Sequence, residues 1–311
     1  MLTTGEKLTL SISRQQTRSK ALFALGIVSF FWGTTWLASR QGVQHMPPLQ
    51  MAAIRQLVAG IAFLAFFLSR GEPMPTAKEW GTILQLGFFN IFLSNGLTTW
   101  GVKYISAGLG AIIAAIFPLW LVIFGLFGSS KSKIEPRALV GLVLGFAGVC
   151  VIFYEHLQEL FDADFRFGIL ISLIATLSWA VGAVYTKREV NQFNPYFSIG
   201  LQMLLSGIML YAVSAATGAV IPIARIPWQS WAAVAYLSIF GSIISFLAYL
   251  YALKHLPTEQ VSIYAYINPV VAVILGALVF GEKLTIFIGL GGAITLYGVY
   301  LVNESFRKSK Q

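Results

Sequence analysis

Ten stretches of mainly apolar residues run along the chain, at roughly 20–40, 49–68, 80–100, 106–128, 138–154, 167–187, 196–216, 229–252, 260–280 and 285–303. A helix needs about 20 such residues to cross the hydrocarbon core of a bilayer. The breaks between them, among them RGEPMPTAKEW, EHLQELFDADFR and KHLPTE, are rich in Pro, Gly and charge, as loops are. The pattern predicts an all-α integral membrane protein of ten transmembrane helices.

Polar residues inside these stretches fall at helical spacing. Asn90, Ser94 and Thr98 recur at every fourth position of the third stretch, with Asn95 and Thr99 beside them. Ser238, Ser242, Ser245 and Tyr249 step by four, three and four along the eighth. Each set shares one face of a regular helix. Such residues either bond neighbouring helices, at roughly 0.6 kcal/mol each, or face a common cavity. The ninth stretch contains YAYINPVV, residues 264–271, where Pro269 denies the Ala265 carbonyl its donor and Asn268 adds an amide that lipid cannot satisfy.

Order and spacing also repeat. Trp32 and Trp179 are 147 apart, as are Pro48 and Pro195, and Gly60 and Gly207. Further on, an offset of 151 matches Ser94 to Ser245, Lys103 to Lys254 and Pro118 to Pro269. Then GLVLGFAGV (141–149) aligns with GGAITLYGV (291–299) at 150. The halves are a first five-helix repeat over 20–154 and a second over 167–303, joined by a linker at 155–166 and flanked by an arm at 1–19 and a tail at 304–311. Five helices is an odd number, so the second half enters the membrane upside down. Inverted repeats of this kind hold binding sites at their interface near the midplane.

Composition supports the membrane reading: 57% of residues are hydrophobic and 11% charged, with a mean hydropathy of +0.76, against about 25% charged in soluble domains. The net charge of +9 is explained by topology. With the N-terminus in the cytoplasm, fifteen of the 21 Lys and Arg fall on the inner side and five on the outer, with Arg55 inside a span. The positive-inside rule then places both termini in the cytoplasm, with the plasma (inner) membrane the expected location, so a nucleic-acid partner is not needed to explain the charge. The single cysteine, Cys150, permits no internal disulfide.

The stretch FFWGTTW, followed by PP-L-x5-R-x4-G in the second helix, and YINPVVAVILGALVFGEKLTIFIGLGGAITLYGV near the end are similar to EamA-type proteins of the drug/metabolite transporter superfamily. The resemblance covers residues 20–303. It implies ten helices in five-plus-five order and transport of small metabolites, often their export. The Gly-Glu-x-Leu segment after the ninth helix is replaced in the first half by GSSKSKIEP, so two gates built on that element would differ.

These readings give a candidate cavity. Trp32, Trp36 and Trp179 supply aromatic walls, each open to a packing role instead. Asn90, Ser94 and Thr98 from the third helix, Ser242, Ser245 and Tyr249 from the eighth, and Tyr264 with Asn268 from the ninth supply polar groups. Pro118 and Pro269 are candidate kinks for a gate. Arg55 either meets a substrate carboxylate or bonds helix-end carbonyls; the resemblance, which carries an Arg here whatever the substrate, favours a structural charge. All twelve acids lie in loops or at helix ends, so no carboxylate relay is evident, Glu282 being the one candidate. The small-residue spacing in 141–148 and 289–298 predicts close packing of the fifth and tenth helices, with a homodimer as a lesser option.

No nucleotide-binding, metal-protease or nucleophile–base motif is found; no enzyme, cofactor or metal is expected. The expectation is a secondary transporter, an exporter of small organic metabolites such as amino acids, working by alternating access between the repeats. The alternatives are an organophosphate or anion antiporter on the same fold, and a membrane sensor or scaffold.

Overall fold

The computed structural model describes residues 4–117, 119–120, 123–124, 136–155, 157–189, 193–256, 261 and 264–308. Ten helices follow in chain order: α1 Thr4–Gly42, α2 Pro48–Ser69, α3 over 77–101, α4 Ala107–Ala115, α5 Pro136–Glu155, α6 Ala163–Glu189, α7 Pro195–Ala216, α8 over 228–255, α9 Tyr264–Phe280 and α10 Ile286–Lys308. Among the described residues there is no strand. Helix α1 begins at Thr4, so most of the segment expected as an arm is the start of that helix.

Local chemistry sets the helix ends. Pro48 and Pro195 occupy the first turns of α2 and α7, where a missing N–H costs nothing. Asn194 Oδ1 accepts from the amides of Tyr196 (3.0 Å) and Phe197 (3.3 Å), and Asp162 Oδ1 does the same for Asp164 and Phe165 ahead of α6. Gly71 and Gly218, a repeat-related pair, follow α2 and α7 with φ of +72° and +68°, the left-handed termination that favours glycine.

The main departure from a regular helix lies inside α3 and α8. Both contain a π-helical segment, Gly87–Leu93 and Leu237–Ile244. These segments sit at matching places in the two halves. A π turn bonds i to i+5 and adds a residue to the turn, so it rotates everything that follows.

Helix packing carries the inversion. The most extensive contacts join α2 to α7 and α5 to α10, each a helix against its own repeat counterpart. Gly60 lies against Leu204, and Gly207 against Leu57. The two contacts are images of each other at the 147-residue offset, and they require α2 and α7 to run antiparallel. The same holds for α5 and α10, where Gly141 meets Gly298 and Gly148 meets Gly291. Equivalent helices that cross antiparallel are related by an axis in the membrane plane, which is an inverted repeat.

Five spans, Gln15–Gly42, Pro48–Ser69, Ala163–Tyr185, Pro195–Ala216 and Trp228–His255, are each long and apolar enough to cross a bilayer. Large apolar side chains face outward, including Phe23, Ile61, Val143 and Leu278. Polar groups such as Gln56, Ser206, Ser238 and Thr295 are buried. This distribution suits a lipid surround.

Loops gather at two ends. At the far face, Gln50 exchanges two hydrogen bonds with the backbone of Ile221 (2.8 and 3.0 Å). Arg40 there donates to the carbonyls of Val102, Lys103 and Ile105 at the end of α3 (2.6–3.1 Å). Also at the far face, Glu282 accepts from the amides of Ala107 (2.9 Å) and Gly108 (3.2 Å) and pins the start of α4. At the other face, where both termini lie, Asn194 donates to Glu72 (2.7 Å) and Arg137 pairs with Glu304 (3.2 Å).

Candidate functional site

A cavity of about 160 Å³ lies between the halves, well above the roughly 10–15 Å³ that one water needs. Four repeat-related pairs surround its middle: Trp32 with Trp179, Ala114 with Ala265, Phe117 with Asn268, and Asn95 with Phe246. From that symmetric centre it extends one way only. Thr35, Trp36, Ser39, Arg55, Thr98 and Thr99 continue the lining toward the far face. Their described counterparts in the second half, including Gly182, Gln202 and Tyr249, do not line it.

The missing half is filled. Asn90 Oδ1 occupies the space that a Cβ at Gly182 would need. Tyr249 packs its ring against Trp32 (5.2 Å between centroids) and Tyr264 (5.8 Å). Trp32 also meets Tyr264 (5.0 Å), Phe246 (5.3 Å) and Trp179 (6.3 Å). Five aromatic rings therefore floor the cavity on the side of the termini. Below them, α1, α8 and α9 bury a continuous apolar cluster that includes Val28, Ala252 and Leu256.

The structure thus brings Trp32, Trp36, Ser94, Thr98, Trp179, Tyr264, Asn268 and Pro269 together around one space. Trp36 lies over Gly110 of α4, inside the protein and away from any interfacial belt. Asn90, Ser242, Ser245 and Tyr249 lie off the lining. The π segments explain this difference. The extra residue turns Asn90 toward α6 while Ser94, Asn95, Thr98 and Thr99 stay on the cavity. In α8, Ser238 bonds the Arg55 carbonyl (3.3 Å), Ser242 accepts from Arg55 Nε (3.0 Å) and Ser245 bonds the Phe240 carbonyl. The second serine stripe therefore supports the site from behind. Pro118 lies outside the described residues.

The wide turn in α8 also frees a carbonyl. Gly241 O accepts the Trp32 indole N–H (3.1 Å), which fixes the central ring. In α3, Phe89 O accepts from Ser178 (2.8 Å) and Gly87 O from Ser206 (2.9 Å). Asn268, with its amide nitrogen turned toward them, donates to the carbonyls of Tyr264 (3.0 Å) and Ser29 (2.8 Å). Its donors are committed to holding α9 on α1, beside the close approach of Gly33 to Val271.

Arg55 is 5% exposed and lines the cavity. The role of bonding helix-end carbonyls belongs to Arg40. Arg55 instead donates to Ser242 Oγ and to Asn95 Oδ1 (3.1 Å), which also accepts from Gln56 (3.1 Å). Thr35, Ser39 and Thr176, which the spacing argument does not reach, also line the cavity, as do Asn95 and Thr99. Thr35 and Ser39, three and seven residues after Trp32, were legible as one face with it. Among the described residues no cluster of His, Cys, Asp or Glu is arranged to hold a metal ion.

Known proteins resemble the whole arrangement. The chain matches the EamA-like transporter family over residues 19–154 and again over 166–304. It is 35% identical over 285 residues to the uncharacterized inner membrane transporter YedA of Escherichia coli (strain K12), covering 91% of this chain and 89% of that one. It is 25% identical to the uncharacterized transporter YvbV of Bacillus subtilis (strain 168), over 96% of both chains. A solved crystal structure at 19% identity shares the fold, with a TM-score of 0.65 over 92% of this chain and 97% of its own.

Proposed function

The chain belongs to the EamA-like transporter family, and from that premise we propose that it is a secondary transporter that exports small organic solutes such as amino acids by alternating access. The observation that carries the reading is the one-sided cavity. It contains the symmetric centre and one of two repeat-related halves. Exchanging the conformations of the two halves would close the far side and open the side of the termini around the same central rings, which is how inverted repeats alternate.

The solute would sit against Trp32 and Trp179, with Thr35, Ser94, Thr98 and Tyr264 as polar partners. Aromatic walls with a few hydroxyls suit a small amphiphilic molecule. Pro269 would let α9 bend between two states. The inward bias of Lys and Arg supports cytoplasmic termini in the plasma membrane, with the cavity then reaching toward the outside.

Purified protein reconstituted in liposomes loaded with the proteinogenic amino acids tests this. Counterflow of at least one of them is expected, lost on Trp32→Ala and Trp179→Ala. Absence of flux for every member of the panel overturns the reading.

A further inference from the structure

Resting on that reading, we propose that the solute carries a single negative charge, a carboxylate, which docks on Arg55. The guanidinium is buried, and among the described residues no acidic side chain lines the cavity with it. Among the described residues the ion pair within 4 Å is Arg137 with Glu304, far away at the termini face. A buried charge without a counter-ion is strongly disfavoured. Ser242 and Asn95 take the Nε and one Nη1 hydrogen. The rest of the five N–H donors have no partner among the described residues. These donors form a planar fork suited to a carboxylate.

The internal repeat supplies an independent argument. At the 147-residue offset Arg55 corresponds to Gln202. Gln202 is equally buried, and its Nε2 donates to Ser198 (3.1 Å). Its Oε1 has no hydrogen-bond partner among the described residues, yet a neutral amide fills this position in the second half, so the repeat has an uncharged solution for the place Arg55 holds. Arg55 is also the one charged side chain among the lining residues described. One guanidinium balances one anionic group. Dianionic organophosphates would call for more.

The test is thermal unfolding of the detergent-solubilised full chain with amino acids and small carboxylates, phenylacetate among them, each beside its primary amide. Carboxylates should raise the midpoint and the matching amides should not. Arg55→Gln should weaken carboxylate binding about ten- to a hundredfold, while Arg55→Lys keeps part of it. Asn95→Asp retains both hydrogen bonds to residue 95 and places a carboxylate beside the guanidinium. It should raise the midpoint without ligand and abolish the carboxylate response. A solute that binds the wild type and Arg55→Gln within twofold, or an Asn95→Asp protein that binds carboxylates as tightly as wild type, overturns the proposal. Stabilisation by amides and amines alone overturns it too. A wild type that binds and moves no solute at all instead removes the transport reading on which this one rests.

Discussion

Asn90 and Gly182 stand in a steric relationship: the amide oxygen of one fills the volume left by the missing side chain of the other. Across the repeat, Thr35 packs its methyl group on Gly241. Residues 35 and 182 are counterparts, as are 90 and 241, so the glycine changes helix between the halves. Gly182→Ala should therefore destabilise by about 1–3 kcal/mol through overpacking. Combining it with Asn90→Ala should recover most of that loss, read as a coupling energy in a double-mutant cycle of thermal unfolding.

The indole of Trp32 is held by the Gly241 carbonyl and touches four other aromatic rings. Replacing Trp32 by Phe keeps a ring and removes the donor. A loss of about 0.5–1.5 kcal/mol is expected, with a larger KM for any transported solute. Unchanged transport and unchanged stability together would remove the ring from the site.

Glu282 connects the end of the second half's α9 to the first turn of α4. A carboxylate at a helix N-terminus gains from the dipole and from charge-assisted bonds, about 0.3–2 kcal/mol. Glu282→Gln should lower stability by that amount, and Glu282→Ala by more. The proteolytic accessibility of the 102–106 loop would rise in the same order. A Glu282→Gln protein as stable as wild type would mean that the charge contributes nothing.

The contrast is Arg137 with Glu304, where Arg137 is 52% exposed. Surface pairs contribute little, roughly 0–1 kcal/mol, because solvent screens them. Glu304→Gln should shift the unfolding midpoint less than Glu282→Gln does. A larger shift would reverse the ranking of the two contacts.

Much of the fold was legible because the physics behind it is coarse. Runs of about 20 apolar residues announce spans, and the Trp32–Trp179 and Gly60–Gly207 offsets announced the repeat that the antiparallel α2–α7 crossing realises. The inward-facing rings were legible for the same reason, since Trp32 and Trp179 lie deep in their helices. The serine stripe of α8 was misread as lining, because GFFNIFL and LSIFGSII carry no residue that marks a π turn. Of the two roles the sequence leaves open for Arg55, bonding helix-end carbonyls is performed by Arg40; both are single cations near a helix end, and position alone cannot say which carbonyls lie within reach. The commitment of the Asn268 amide to Ser29 depends on how closely Gly33 admits α9, a distance that no single helix encodes.

The two π segments make the site depend on chain length as well as composition. If α3 wound as a regular helix through Gly87–Leu93 with every residue kept, the residue that the π turn absorbs would add to the rotation. Everything from Ser94 onward would then turn by about 100° relative to the preceding part. Ser94 and Thr98 would leave the cavity with no change in their own chemistry. In α3 and in α8 alike, one surplus residue decides which side chains meet at the centre of the protein.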